Sequence, residues 1–132
     1  MTGKIFRSTF LTSALVLFSC LVLIVGILLE AFENRMMDEL SGEAAYVEYA
    51  IEAGEKGFFE NFSAPDRRVT LISPEGTVLA DTSASAEDMD NHGGRAEFKE
   101  AATNGSGTSV RYSDTLMQKT LYYAKKLPDG RV

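Results

Sequence analysis

The chain is poor in the side chains that metal proteins and many enzymes use. It has one cysteine, one histidine, three prolines and no tryptophan among 132 residues. A single cysteine cannot form an internal disulfide, and a single histidine without a second thiol disfavours a transition-metal cluster. The sequence also offers no convincing Ser/His/Asp arrangement and no phosphate-binding glycine loop. We therefore expect no catalytic residue, no metal site and no cofactor in this chain.

Positive charge is also scarce. The chain carries 13 lysine and arginine residues against 19 aspartate and glutamate residues, which gives a formal net charge of −6. Two of the basic residues, Lys4 and Arg7, precede the first long apolar segment, so the remainder is more acidic still. An acidic surface disfavours nucleic acid and anionic lipid headgroups as partners.

One long segment has no charge at all. From Phe10 to Leu29 every residue is uncharged, and a helix of about 20 residues rising 1.5 Å per residue matches a hydrocarbon layer about 30 Å thick. Cationic residues stay on the cytoplasmic side of a membrane, and Lys4 and Arg7 precede the segment whereas Glu30 follows it. The sequence thus predicts a cytoplasmic N-terminus at 1–9, a transmembrane helix at 10–29 and an extracytoplasmic remainder.

A cleaved signal peptide is the alternative for this segment. It needs an apolar stretch of about 7–15 residues followed by a small-residue cleavage site. The uncharged stretch is longer, no pair of small residues follows Leu28, and Phe18 is bulky for a lipoprotein site at Cys20. An uncleaved anchor in the cell membrane is therefore favoured.

Apolar residues continue at three- and four-residue steps beyond the membrane segment, which predicts an amphipathic helix in the region 30–57. Acidic residues occupy many positions between them, and Gly54 and Gly57 supply stop signals. The apolar stripe either covers a sheet or couples the outer domain to the bilayer beside a second copy, and both can hold. We expect a homodimer whose signal-coupling residues are Phe32, Met36, Leu40, Ala44 and Val47.

The region 58–132 has the pattern of a small α+β domain. Ser73-Pro74-Glu75-Gly76 lies between two apolar, β-branched runs and fits a type I hairpin turn. Arg131 and Val132 follow a further turn and begin a strand that does not continue, so a ladder partner is missing and we expect an incomplete domain from a longer protein. The predicted elements are strands at 68–72 and 77–81, a short helix at 95–103, and strands at 108–113 and 119–126.

Several stretches of this domain match a known kind of sensor in their order and spacing. They are Arg68–Asp81 (RVTLISPEGTVLAD), Met89–His92 (MDNH), Arg95–Phe98 (RAEF) with Ala101, Gly105–Leu116 (GSGTSVRYSDTL) and Leu121–Ala124 (LYYA). Together they resemble the extracytoplasmic PAS-like, or single Cache, domain of bacterial membrane sensor histidine kinases of the phosphate-regulon sensor type. Gly93 and Gly94 depart from that pattern, because relatives carry bulkier residues there.

The resemblance implies an α+β fold in which the N-terminal transmembrane helix continues into the long amphipathic helix and then into an antiparallel PAS/Cache-like sheet, truncated before its last strand. It implies two-component signal transduction, in which the domain senses a small-molecule or protein ligand outside and relays the signal across the membrane. In that family a second membrane helix, a HAMP linker and a kinase core follow. The core binds ATP and Mg²⁺ and phosphorylates itself for a response regulator, so this chain, which lacks that core, is expected to catalyse nothing itself.

Other classes of protein use similar outer domains, since fold does not fix output. A chemoreceptor or a cyclic-dinucleotide synthase is one alternative, and a membrane-anchored adaptor or binding protein is another. Sequence beyond Val132 distinguishes them.

Four residues of the second strand pair are candidates for ligand contact. Arg111 and Ser113 are two apart and so share a face, on which an arginine can bind a carboxylate through two hydrogen bonds. Tyr122 and Tyr123 alternate, so only one of them can face a pocket. The alternatives are a surface ion pair for the arginine and core packing for the tyrosines.

The fifth candidate is His92, the only side chain expected to titrate near neutral pH, which could sense acidity. The alternative is that its ring holds the surrounding loop by hydrogen bonds. Asp81, at the end of the first hairpin, is expected to accept hydrogen bonds from loop backbone N–H groups.

Overall fold

A single helix, α1, occupies Thr2–Glu52. The computed structural model describes residues 2–54, 57–62, 64, 66–113 and 118–132. All side chains described from residue 3 to residue 32 are exposed, including Leu17 at 71% and Ile27 at 66%. Exposed apolar side chains are unfavourable in water, and α1 is long and apolar enough to span a membrane.

The chain divides into two compact units at a point within α1. The first unit, Met1–Asp38, contains the apolar part of α1, and the second, Glu39–Val132, contains its last turns and all of the later elements. Because α1 is one helix from Thr2 to Glu52, it continues unbroken through residue 30, where the predicted membrane helix meets the predicted amphipathic helix. α1 ends at Glu52, shortly before Gly54, whose φ of 69° stops the helix.

The first strand pair is a hairpin of β1, Thr70–Ile72, and β2, Val78–Asp81. The Gly76 N–H donates to the Ser73 carbonyl oxygen over 2.9 Å, and Gly76 has a φ of 89°. This hydrogen bond closes the four-residue turn predicted from Pro74 and Gly76. A bulge between Leu71 and Ile72 shifts the register. Both strands are shorter than predicted, since β1 begins at residue 70 instead of 68 and β2 at 78 instead of 77.

The second strand pair consists of β3, Ser106–Ser113, and β4, Gln118–Lys125. The strands pair antiparallel without a bulge, from Ser106 opposite Lys125 to Ser113 opposite Gln118. Both predicted strands are present, and β3 begins two positions earlier than 108. The described part of the second unit also contains α2 at Phe58–Asn61, a 3₁₀ turn at Ala86–Asp88 and α3 at Ala96–Asn104.

Helix α3 packs directly on the backbone of β3. A side chain on Gly107 would place a Cβ 2.2 Å from the Glu97 carbonyl oxygen and 2.8 Å from the Ala101 nitrogen, so only glycine permits this approach. The core beneath α3 is small, and it consists of Phe98, Ala101 and Val132 with Ile72 and Ala124 against them.

The described strands form two separate two-stranded antiparallel sheets, and the fold class is therefore α+β, as predicted. Val132 lies beside the first sheet. It donates to the Ile72 carbonyl oxygen over 2.9 Å and accepts from the Ile72 N–H over 2.8 Å. This reciprocal pair is the pattern of antiparallel strands, and it places Val132 at the edge of β1 that β2 leaves open.

Candidate functional site

The candidate site is built on one face of β3 and β4, beneath α3. Side chains alternate along a strand, so Gly107 and Arg111 lie on the same face, and Tyr122 joins them from the neighbouring strand. The guanidinium carbon of Arg111 is 4.1 Å from the centre of the Tyr122 ring, within the range of a cation–π contact. The Nη2 atom of Arg111 pairs with both carboxylate oxygens of Glu97 on α3.

The charges of this site are unequally buried. The Glu97 side chain is only 8% exposed, whereas the Arg111 side chain is 38% exposed. Burial alone would lower the pKa of Arg111, but hydrogen bonding and charge attraction from Glu97, with a contribution from Tyr122, raise that pKa above its usual value. Arg111 is therefore a cation held by Glu97 through its Nη2 atom, and an anionic ligand that reached its exposed side would share it with a buried carboxylate.

The structure brings two of the five predicted ligand residues together, Arg111 and Tyr122. Tyr123 points to the opposite face of the sheet because neighbouring strand residues alternate, and it shares that face with Lys125, which pairs with Glu48 of α1. The side chain of Ser113 lies outside the described residues.

His92 belongs to a different cluster, at the turn between β1 and β2. Its backbone N–H donates to the Gly76 carbonyl oxygen over 2.7 Å, and its ring donates to the Asp90 carbonyl. The amide of Asn91 donates to the Glu75 carbonyl oxygen over 3.0 Å. A Cβ on Gly76 would be 2.4 Å from the Gly93 nitrogen, so the loop lies against the turn at van der Waals distance.

The environment of His92 disfavours its charged form. The residue is 5% exposed, and burial, together with the positive charge of Arg95, lowers the pKa of His92 below its usual value of 6.5. The hydrogen bond to Asp90 and the charge of Asp81 act in the opposite direction but do not offset these effects.

Asp81 organises the far end of the first hairpin. Its Oδ1 accepts from the Ser83 N–H over 2.7 Å and from the Ala84 N–H over 3.0 Å, which confirms the loop contacts predicted for it. Thr70 donates to its Oδ2 over 2.6 Å, and Arg68 Nε over 2.9 Å. The Asp81 side chain is fully buried. Burial acts to raise the pKa of Asp81, but these hydrogen bonds hold it below its usual value.

The predicted signal-coupling residues fall on both sides of the unit boundary. In the first unit Phe32 is 67% exposed and Met36 is half-buried. In the second unit Leu40, Ala44 and Val47 are all half-buried. The sequence did not indicate the basic residues that hold this part of α1, and these are Arg67, with Nε 2.9 Å from Glu43 Oε2, and Lys125, which pairs with Glu48.

An open depression of about 430 Å³ lies at the end of α1. Ile51 and Glu52 form one side, and Leu127, Pro128, Asp129 and Arg131 form the other. None of the five predicted ligand residues lines it. Arg131 forms an ion pair with Asp129, with 2.7 Å between Nε and Oδ2.

The first prediction concerns the Arg111–Glu97 pair. Arg111→Ala should lower the free energy of unfolding of the chain in detergent by about 1–3 kcal/mol, because it leaves a buried carboxylate without its partner. Adding Glu97→Ala should recover part of that loss, since the stranded charge is removed. Arg131→Ala, which breaks an exposed pair, is the matched control and should change little. If the effects of Arg111→Ala and Glu97→Ala on the free energy of unfolding were simply additive, the two side chains would not interact and the prediction would be wrong.

The second prediction concerns pH, and it uses the single histidine of the chain. The folded state binds a proton at His92 more weakly than the unfolded state does, so stability is fully present above about pH 6.5 and is lost as pH falls towards the folded pKa. Denaturation at several pH values between 5 and 8 should show this slope, which for one group cannot exceed about 1.4 kcal/mol per pH unit. His92→Gln should remove it, and an unchanged slope in that variant would contradict the prediction.

Comparison with known proteins adds no relative to this picture. No family model matches the chain, and neither a curated protein nor a solved structure matches it. What the chain does is therefore inferred from its own helix, its two sheets and the contacts between them.

Proposed function

We propose that this chain is the extracytoplasmic signal-sensing part of a membrane sensor histidine kinase. The observation that carries the proposal is α1, which is apolar enough to span a membrane and is followed by an α+β unit. An external domain on one membrane helix is suited to reporting a condition outside. The N-terminus is then cytoplasmic and the second unit extracytoplasmic, because Lys4 and Arg7 precede the apolar segment.

The finer fold within this proposal is PAS-like, or single Cache. The order of hairpin, loop, short helix and second strand pair supports it, as does the packing of α3 across β3. In PAS-like sheets another strand lies between the first strand and the fourth. Val132 pairs with β1 through two hydrogen bonds, and Ala124 of β4 contributes to the same small core as Val132. This placement is compatible with such a central strand.

The proposed ligand contacts are Arg111 and Tyr122, with a small molecule or a protein as the external ligand. An anionic group that reached Arg111 would compete with Glu97, which belongs to α3. Ligand binding at this point would therefore release or reposition α3 against the sheet. The exchange of Glu97 for the ligand at Arg111 would thus couple ligand binding to a shift of α3 between two packed positions on the sheet, as a switching transition requires.

The proposed route from the domain to the membrane is α1. Within the second unit, Lys125 of β4 pairs with Glu48 of α1, and Arg67 is bound to Glu43. A change in the sheet would thus act on α1 through ion pairs. The intact protein is proposed to be a homodimer whose cytoplasmic part binds ATP and Mg²⁺, phosphorylates itself and transfers the phosphoryl group to a response regulator.

The third prediction is read from the gene beyond the Val132 codon. We expect it to encode a second apolar helix, a HAMP linker, a phosphoacceptor histidine and an ATP-binding domain. A methyl-accepting coiled coil would instead indicate a chemoreceptor, and a cyclic-dinucleotide synthase domain would indicate that class. A stop codon directly after Val132 would overturn the kinase proposal and favour an anchored adaptor.

The fourth prediction concerns topology. Alkaline phosphatase, which is active only outside the cytoplasm, should be active when fused after Gly57, and β-galactosidase fused there should be inactive. The Lys4→Glu and Arg7→Glu double variant should lower phosphatase activity, because it removes the positive charges that hold the N-terminus inside. Lys56→Glu, which removes a positive charge after the apolar segment, is the control and should not lower phosphatase activity. The opposite reporter pattern in the unsubstituted chain would contradict an external sensor.

A further inference from the structure

The loop that precedes α3 is bound to the turn of the first hairpin. We call residues 89–94 the His92 loop. The His92 N–H donates to the Gly76 carbonyl oxygen over 2.7 Å, and the Asn91 side-chain amide donates to the Glu75 carbonyl oxygen over 3.0 Å. His92 itself is only 5% exposed. These contacts hold a nearly buried imidazole against the turn.

The same loop leads directly into α3. The His92 carbonyl oxygen accepts from the Arg95 N–H over 3.0 Å, and the Arg95 carbonyl oxygen accepts from the Lys99 N–H over 3.1 Å. Glu97, the second residue of α3, pairs with Arg111 of β3. One hydrogen-bonded stretch of backbone therefore joins the residue that meets the turn to the residue that holds the candidate ligand arginine.

We propose that the His92 loop is an acid-sensitive switch, in which protonation of His92 releases the loop from the turn, loosens the first turn of α3 and weakens the hold of Glu97 on Arg111. The inference deepens the proposed function, because it names acidity outside the membrane as an input that regulates the candidate ligand site. It rests on that function through the extracytoplasmic placement of the second unit.

The surroundings of His92 make a positive charge on its ring unfavourable in the closed loop. Burial is the largest cause of its lowered pKa, and the positive charges of Arg95, before α3, and Arg68, before β1, act in the same direction. The ring would lose these penalties in water. Protonation therefore favours the released loop over the closed one.

The acidic groups near the loop do not remove this preference. The charge of Asp81, at the end of β2, and the hydrogen bond to the Asp90 carbonyl both favour the protonated ring, yet the pKa of His92 remains below its usual value. Asp81 is itself paired with Arg68, with 2.9 Å between Oδ2 and Nε. Glu75 of the turn and Asp90 of the loop are exposed, so water screens their charges.

Release of the first turn of α3 would change the candidate ligand site. The Nη2 atom of Arg111 pairs with both carboxylate oxygens of Glu97, and loosening this pair would free that atom for an anionic ligand. Linkage makes the effect reciprocal, so an anion that replaced Glu97 at Arg111 would also make His92 easier to protonate. Acid and ligand would therefore act on α3 in the same direction.

The single histidine of the chain makes the switch measurable. In the full chain in detergent, the Cε1–H nuclear magnetic resonance signal of labelled histidine gives the titration midpoint of His92 between about pH 4 and 8. Glu97→Gln should move this midpoint about one pH unit higher, because a tenfold easier release of the loop exposes the ring to protons tenfold more often. Without such release, removing a negative charge would lower the midpoint, so the sign of the change distinguishes the two cases.

Glu87→Gln is the matched control. It removes the same charge from an exposed position of the 3₁₀ turn, outside α3. The substitution should not raise the midpoint, since it does not touch the pair that holds α3 to the sheet. A rise of equal size in this variant would assign the effect to net charge and overturn the inference.

The Nε–H signal of Arg111 reports on the other end of the switch. In the unsubstituted chain it should shift with the same midpoint as the His92 ring. In His92→Gln this step should disappear, because the group whose protonation releases the loop is absent. The comparison of Glu97→Gln with Glu87→Gln retains His92 and so does not depend on whether His92→Gln folds.

Two further results would overturn the inference. One is a His92 midpoint that Glu97→Gln lowers or leaves unchanged, and the other is an Arg111 signal that has no step at that midpoint or keeps the step in His92→Gln. These measurements use the purified chain, so a stop codon after Val132 or a cytoplasmic second unit would contradict the proposed function and leave the coupling between His92 and Arg111 intact.

Discussion

The approach of α3 to β3 at Gly107 is the constraint on which the second unit depends. A Cβ at that position would overlap the backbone of Glu97 and Ala101, so the distance between helix and strand is set by the absence of a side chain. That distance allows Glu97 to reach Arg111 and places Phe98 and Ala101 over the small apolar core. The ion pair and the core thus both depend on this one contact.

Polar contacts have to supplement a core of this size. Among the described residues no large side chain is fully buried, so hydrophobic burial alone holds the second unit weakly. Asp81 compensates at one end of the hairpin by accepting hydrogen bonds from four donors, and the loop around His92 compensates at the other end by hydrogen bonding to the turn. Both groups are buried in one protonation state, Asp81 charged and His92 neutral, and both therefore make the fold less stable in acid.

Local chemistry in the sequence was enough to predict α1, the two strand pairs and α3, but not the short α2 or the 3₁₀ turn. Pro74 and Gly76 specify the turn of the first hairpin, and alternation specifies that Tyr122 and Tyr123 face opposite sides, because both depend on neighbouring residues only. The partners of Arg111, Arg67 and Lys125 depend on how separate elements pack, and no spacing in the sequence encodes them. The close approach of Gly93 to Gly76 could be predicted only in part. The sequence showed that Gly93 and Gly94 are unusual at their positions, but only the structure shows that the loop packs against the turn at Gly76.

The choice of helix face shows why an apolar stripe does not by itself identify an interface. Leu40, Ala44 and Val47 satisfy the periodicity of a paired helix, yet the sheet domain of the same chain also needs an apolar cover. Glu43 and Glu48 of α1 decide between these two uses. Their basic partners, Arg67 and Lys125, lie on the sheet domain, so these ion pairs turn the apolar stripe of α1 towards that domain. A ligand that disturbed Lys125 or Arg67 would therefore act on α1 as well as on the sheet domain.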